Sequence, residues 1–66
     1  MEIRQFTYVS MVAECGSMTK AAAKLFITQP ALSNYVSKVE EDLGVKLFDR
    51  SANPLKLTYA GEQYVK

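Results

Sequence analysis

A chain of 66 residues, 48% of them hydrophobic, has the length of one small domain whose core can form without disulfides or metal. Its formal net charge of +1 neither identifies nor excludes a nucleic-acid partner. Cys15 is the single cysteine and cannot form an internal disulfide, which agrees with a reducing compartment. Histidine, a glycine-rich phosphate loop and an apolar run long enough for a membrane span are all absent. We therefore expect a cytoplasmic protein that is not an enzyme, needs no metal or cofactor and has no membrane partner.

Two helices are predicted in the first third of the chain. The first covers residues 2–14, and glycine at position 16 is its expected end because glycine accepts the left-handed conformation. Ser17 then caps a second helix over about 18–25, where the alanines permit a close helix crossing. The expected inner stripe of the first helix consists of Ile3, Phe6, Val9 and either Val12 or Ala13.

The third predicted helix follows a tight turn, begins after its cap Thr28, runs to Leu43 and stops at Gly44. Pro30 is tolerated because an amide in a first turn has no partner within the helix. One side of the helix is apolar, with Leu32, Val36, Val39 and Leu43 at offsets of four, three and four. The opposite side carries small or hydrogen-bonding residues, namely Pro30, Ser33, Asn34, Ser37 and Glu41.

Beyond Gly44 the periodicity changes from helical to alternating. Residues 45–48 and 55–57 are typical of two short strands, and residues 51–54 have turn chemistry, so a small hairpin is expected. Thr58 is the expected cap of a further helix over 59–66, which is too short to be stable alone. The fold class predicted is mainly α: a winged helix-turn-helix domain over 1–58, with the helix-turn-helix over about 18–37, followed by the truncated start of a linker helix.

Two short helices joined by a tight turn are what a helix-turn-helix uses to read DNA. Acidic residues crowd the C-terminal turn of the third helix, at positions 40–42, where they oppose any phosphate. Its N-terminal turn offers free amides, so the helix would approach the duplex with this end first. Gln29 can pair bidentately with adenine, and Ser33 and Asn34 can bind a base or a phosphate. The alternative is an ordinary solvated helix face.

An ordered series of residues covers nearly the whole chain. It comprises Phe6, Ala13-Glu14, Gly16-Ser17, Ala21-Ala22, Leu25, Thr28-Gln29-Pro30-Ala31-Leu32-Ser33, Glu40, Leu43-Gly44-Val45, Leu47-Phe48-Asp49-Arg50, Leu57-Thr58 and Ala60-Gly61-Glu62. This series closely resembles the N-terminal DNA-binding domain of LysR-type bacterial transcriptional regulators. The resemblance implies double-stranded DNA as partner, with the third helix in the major groove and the wing near the minor groove. It also implies a C-terminal domain that binds a small-molecule effector, and a homo-oligomeric parent protein.

The resemblance assigns roles to particular positions. Base-reading positions match Gln29, Pro30, Ser33 and Asn34. Contacts to the DNA backbone are expected from Lys20, Thr28, Ser37, Lys38 and Arg50, and wing contacts from Asn53 and Lys56. Asn34 departs from the family, where arginine is frequent, and a neutral amide shifts the expected preference toward adenine.

Other interpretations of the basic residues remain open. The lysines at 20 and 38 are equally compatible with plain solvation, and Arg50 with a salt bridge to a neighbouring carboxylate. Residues 52–54 of the wing lack the arginine that many relatives insert into the minor groove. The low net charge also admits a winged helix that binds another protein. Binding that weakens steeply with salt would identify DNA as the partner.

Overall fold

The computed structural model describes residues 3–52 and 54–65, and in this part of the chain it contains four helices and a two-stranded antiparallel sheet. The elements in chain order are α1 (Ile3–Cys15), α2 (Met18–Leu25), α3 (Gln29–Leu43), β1 (Phe48–Asp49), β2 (Lys56–Leu57) and α4 (Tyr59–Val65). In the hairpin, Phe48 pairs with Leu57 and Asp49 with Lys56. The predicted order of three helices, a two-stranded wing and the start of a further helix is confirmed.

The helix ends lie where their capping residues predict. The Ser17 hydroxyl accepts a hydrogen bond from the Lys20 amide at 3.2 Å, and the Thr28 hydroxyl accepts one from the Ala31 amide at 3.2 Å. Gly44 ends α3 in the left-handed conformation, with φ of 75°. These caps fix the start of α2 and both ends of α3.

The turn between α2 and α3 contains a feature that the sequence did not predict. Phe26 adopts the left-handed conformation with φ of 60°, which is uncommon for a residue with a side chain. The Ile27 amide donates to the Ala22 carbonyl at 3.0 Å and closes this turn. Phe26 itself is 94% exposed, while Ile27 packs against the core.

The core lies where α1, α2 and α3 meet. Its largest fully buried side chains are Leu32, Leu47, Val9, Val12 and Val36. Ala21 and Ala22 are buried between them, and their small size lets α2 pack closely on its neighbours. At the edge of the core the rings of Tyr8 and Tyr35 lie 4.9 Å apart between centroids. The predicted inner stripes of α1 and α3 therefore form the core in their middle sections.

The ends of those stripes are exposed, which corrects the prediction for three residues. Ile3 is 85% exposed and Phe6 is 40% exposed. The Phe6 ring stacks on Tyr64 of α4, with 6.2 Å between ring centroids, and does not enter the core between α1, α2 and α3. Leu43 is 44% exposed, since it is the last residue of α3 and the chain turns away at Gly44. Hydrophobic periodicity predicts which face of a helix is apolar, but that face is buried only where a neighbouring element packs on it.

Helix α4 is held against the wing by backbone contacts. The Thr58 amide donates to the Leu47 carbonyl at 3.0 Å, and the Thr58 hydroxyl accepts from the Gly61 amide at 3.1 Å. Gly61 packs so closely on Leu47 that a Cβ atom added there would collide with the Leu47 carbonyl oxygen and approach a methyl group of Leu57 to 2.8 Å. The predicted helix start after Thr58 is confirmed, while the division into domains at residue 58 stays a prediction.

Gly61→Ala is expected to destabilise the protein. In an ordinary helix this change stabilises by about 0.5–1 kcal/mol, but the collision with backbone here costs about 1–3 kcal/mol or more. The matched control is Gln63→Ala, an exposed position in the same helix. Thermal unfolding followed by circular dichroism measures both variants. A Gly61→Ala variant as stable as the control would contradict the close packing of α4 on Leu47.

Candidate nucleic-acid interface

The first two turns of α3 present hydrogen-bonding groups to solvent. Gln29, Pro30 and Asn34 are exposed and Ser33 is half-buried, whereas Leu32 beside them is fully buried. Within residues 3–52 and 54–65, the carboxamides of Gln29 and Asn34 make no hydrogen bond to the protein. Each therefore keeps a free donor and a free acceptor, the pair that bidentate recognition of a base requires.

The two ends of α3 differ in charge. Its first turn contains no acidic residue, so no side-chain charge compensates the positive end of the helix dipole. Glu41 and Asp42 are exposed near the other end, and Asp42 lies 3.8 Å from the Lys38 amine. The Lys38 charge is thus partly balanced within the helix. An anionic partner is favoured at the N-terminal end of α3.

Helix α2 and the wing both border the N-terminal end of α3. An open cleft of about 350 Å³ separates the starts of α2 and α3 from the wing. Its lining consists of Gly16, Ser17, Met18, Gln29, Arg50, Ala52 and Leu55. Lys20, in the first turn of α2, is exposed. The structure thus brings Gln29 and Arg50 to one cleft, although 21 positions separate them in the sequence.

Arg50 connects the wing to α3. Its Nη1 donates to the Ser33 hydroxyl at 2.9 Å and its Nη2 donates to the Ser37 hydroxyl at 3.2 Å. The same Nη2 lies 3.6 Å from a carboxylate oxygen of Glu40. The salt bridge considered from the sequence is therefore present, and the Arg50 side chain is 38% exposed.

Glu40 corrects one element of the charge interpretation. The sequence groups it with the other acids of the C-terminal turn as a charge that opposes phosphate, whereas the structure buries its side chain to 2% exposure. Its Oε2 accepts from the amides of Leu47 at 2.7 Å and Phe48 at 3.2 Å. Glu40 thereby holds the entry to the wing. The sequence does contain a signal for this burial, since Glu40 follows Val36 by four residues and so lies next to the buried stripe of α3.

The wing carries basic groups on one side. Lys46, Arg50 and Lys56 line a second open cleft, of about 570 Å³, over the hairpin. At the wing turn the Ser51 hydroxyl and amide donate to Asp49, which lowers the pKa of that carboxyl below its ordinary value. Asn53, the other expected wing contact, lies outside the described residues.

Two other kinds of site find no support in the part of the chain that the structure describes. No helix there combines the length and the apolar character that crossing a membrane requires. Nor do three or more histidine, cysteine or acidic side chains come together there as a potential metal site.

Comparisons with known proteins place this geometry among bacterial regulators. The sequence profile for bacterial regulatory helix-turn-helix proteins of the lysR family matches residues 3–62. The HTH-type transcriptional regulator TfdT of Cupriavidus pinatubonensis is 43% identical over 65 residues, which are 98% of this chain and 28% of TfdT. The HTH-type transcriptional regulator BenM of Acinetobacter baylyi is 46% identical over 61 residues, which are 92% of this chain and 20% of BenM. The chain thus spans less than a third of either regulator.

Solved structures are similar over nearly the whole chain. The BenM_DBD/catB site 1 DNA complex superposes with a TM-score of 0.93 at 43% identity, covering 98% of this chain and 70% of that one. The CbnR_DBD–DNA complex has a TM-score of 0.89 at 42% identity, covering 98% and 75%. Full-length BenM has a TM-score of 0.90 at 43% identity, with 98% of this chain and 22% of that chain covered.

Glu40→Ala is expected to destabilise the protein by about 2–5 kcal/mol. The substitution leaves the amides of Leu47 and Phe48 without an acceptor, and an unsatisfied buried donor costs about 1–3 kcal/mol. Glu40→Gln retains a carbonyl oxygen and is expected to lose less. The control is Glu41→Ala, an exposed neighbour on the same turn, with a change within about 0.5 kcal/mol. Urea denaturation compares the three. Equal stability of Glu40→Ala and Glu41→Ala would contradict the anchoring of the wing by Glu40.

Proposed function

The chain belongs to the lysR family of bacterial regulatory helix-turn-helix proteins, and from this we propose that it is the sequence-specific double-stranded DNA-binding domain of a transcription regulator. The observation that carries the proposal is the pair of unengaged carboxamides, Gln29 and Asn34, at the positive end of α3. The similar BenM and CbnR structures that contain DNA support the same function for this chain.

In the proposed complex α3 enters the major groove with its N-terminal end first. Gln29 and Asn34 each pair bidentately with a base, preferably the N6 and N7 positions of adenine. Ser33 contributes a hydroxyl to a base edge, and Pro30 makes apolar contact, for example with a thymine methyl group. The absence of acidic residues from the first turn of α3 supports this orientation.

Contacts to the DNA backbone are made on both sides of α3. Phosphates bind to the exposed Lys20 on α2, to the capped N-terminus of α3 at Thr28, and to Ser37. Lys38 contributes less, since Asp42 lies 3.8 Å from its amine. On the wing, Lys56 faces the phosphates near the minor groove and Asn53 accompanies it.

The parent protein has further functions in this proposal. A C-terminal domain binds a small-molecule effector, which is consistent with the small share of TfdT and BenM that this chain spans. The parent is a homo-oligomer, and the exposed apolar side chains of Ile3 and Tyr59, 85% and 78% exposed, are covered by a second copy. Because the bacterial chromosome lies in the cytoplasm, the regulator acts there.

The salt dependence of binding separates DNA recognition from recognition of another protein. DNA binding releases counterions, so the logarithm of affinity falls linearly with the logarithm of salt concentration, with a slope of about −0.9 per phosphate contacted. A winged helix that binds a protein partner shows no such relation to any duplex. This measurement is informative because the net charge of +1 does not by itself identify DNA as the partner.

Gln29→Ala and Asn34→Ala are each expected to lose about 1–3 kcal/mol of discrimination between a selected duplex and single-base variants of it. The duplex is first obtained by selection from a random double-stranded library with the wild-type protein, and binding titrations follow. Gln63→Ala is the matched control, since it removes an equivalent exposed carboxamide from α4. Equal losses on matched and mismatched duplexes would contradict base reading by α3.

A further inference from the structure

Arg50 occupies a position that differs from that of a free phosphate-binding side chain. Its two terminal nitrogens donate to Ser33 at 2.9 Å and to Ser37 at 3.2 Å. These serines are four residues apart and therefore stack on one side of α3. The guanidinium thus spans one turn of the helix proposed to read DNA, although Arg50 itself lies just after β1.

The guanidinium is fixed from behind by a buried carboxylate. Glu40 Oε1 lies 3.6 Å from Nη2 of Arg50, and it accepts no hydrogen bond from the described residues. The other oxygen, Oε2, is taken by the amides of Leu47 and Phe48. An acidic side chain this deeply buried stabilises a nearby cation and restricts its position. Arg50 is therefore held between Glu40 and the two serines.

This arrangement fixes the direction of the serine hydroxyl groups. Guanidinium has only donors, so the oxygens of Ser33 and Ser37 must accept from it. Neither hydroxyl donates to an acceptor within residues 3–52 and 54–65. Each hydroxyl therefore keeps its proton for an acceptor outside these residues. Both serines are presented to a ligand as hydrogen-bond donors.

We propose that Arg50 is a positioning residue, which sets Ser33 as a donor to a base acceptor in the major groove and Ser37 as a donor to a phosphate. This inference rests on the proposed function of the chain. It replaces the direct phosphate contact that the sequence suggests for Arg50 by an indirect role. Selectivity at the base pair facing Ser33 then depends on Arg50, which itself does not touch the DNA.

Arg50→Lys tests this role because it preserves the positive charge but removes the planar fork that holds two hydroxyls at once. The intact protein is titrated with its library-selected duplex and with a panel of single-base variants. We expect Arg50→Lys and Ser33→Ala each to lose roughly 3- to 10-fold in discrimination at the same base pair, the value of one neutral hydrogen bond. The double variant should lose no more than either single variant. The salt slope of Arg50→Lys should equal that of the wild type.

A ratio of affinities measured on one protein sample cancels any unfolded fraction, so reduced stability does not imitate the expected result. Lys24→Arg, an exchange between basic residues at an exposed position of α2 with no role in the proposed interface, should leave discrimination unchanged. Wild-type discrimination in Arg50→Lys, no loss in Ser33→Ala, or additive losses in the double variant would each overturn the positioning role. Failure of the wild-type protein to select any sequence would overturn the proposed function, and this inference with it.

Discussion

The arrangement of α3 and the wing depends on one buried acidic residue. The backbone carbonyl of Glu40 accepts from the amides of Gly44 at 2.8 Å and Val45 at 3.2 Å, and its side chain accepts from those of Leu47 and Phe48. A single residue thus pairs four amides of the segment that leaves α3 and enters β1. Buried amides require acceptors, so this segment has little freedom to adopt another path. The wing is consequently fixed relative to the helix.

This constraint divides α3 into two functional parts. The C-terminal half is occupied with internal contacts, through Glu40 and through the ion pair of Lys38 with Asp42. The N-terminal half keeps free carboxamides at Gln29 and Asn34 and an uncompensated positive helix end. Arg50 links the two halves, since it reaches from the wing to Ser33. Rigid support at one end leaves the polar groups at the other end preorganised for a ligand, which reduces the entropic cost of binding.

Sequence reasoning predicted most of the fold because the signals are local. Caps at Ser17, Thr28 and Gly44 and the apolar periods of α1 and α3 depend only on nearby residues, and the structure places them as expected. Whether an apolar helix face is buried depends on elements distant in the sequence. For this reason Ile3 and Leu43 were predicted to lie in the interior but are exposed. Hydrophobic periodicity carries no information on which element packs against the end of a helix.

The candidate site was predicted less completely than the fold. The exposed face of α3 follows from its helical phase, and Asn34 is exposed as that phase predicts, while Gln29 is exposed as the first residue of the helix. The contacts of Arg50 do not follow, because they join residues 13 and 17 positions apart through a hairpin whose register the sequence does not specify. The sequence analysis counts Glu40 among the acids of the C-terminal turn and does not predict its burial, because acidic side chains are seldom buried without a partner. Its partners are backbone amides, which a sequence cannot display.

Backbone and side-chain amide NMR signals, recorded while the selected duplex is added, test the central claim most directly. The account predicts that the largest changes fall on the amides of residues 28–34 and on the side-chain carboxamides of Gln29 and Asn34. The carboxamide of Gln63, exposed on α4, serves as an internal reference and should remain unperturbed. Changes concentrated on α4, or spread evenly over the surface with α3 unaffected, would contradict recognition of DNA by the N-terminal end of α3.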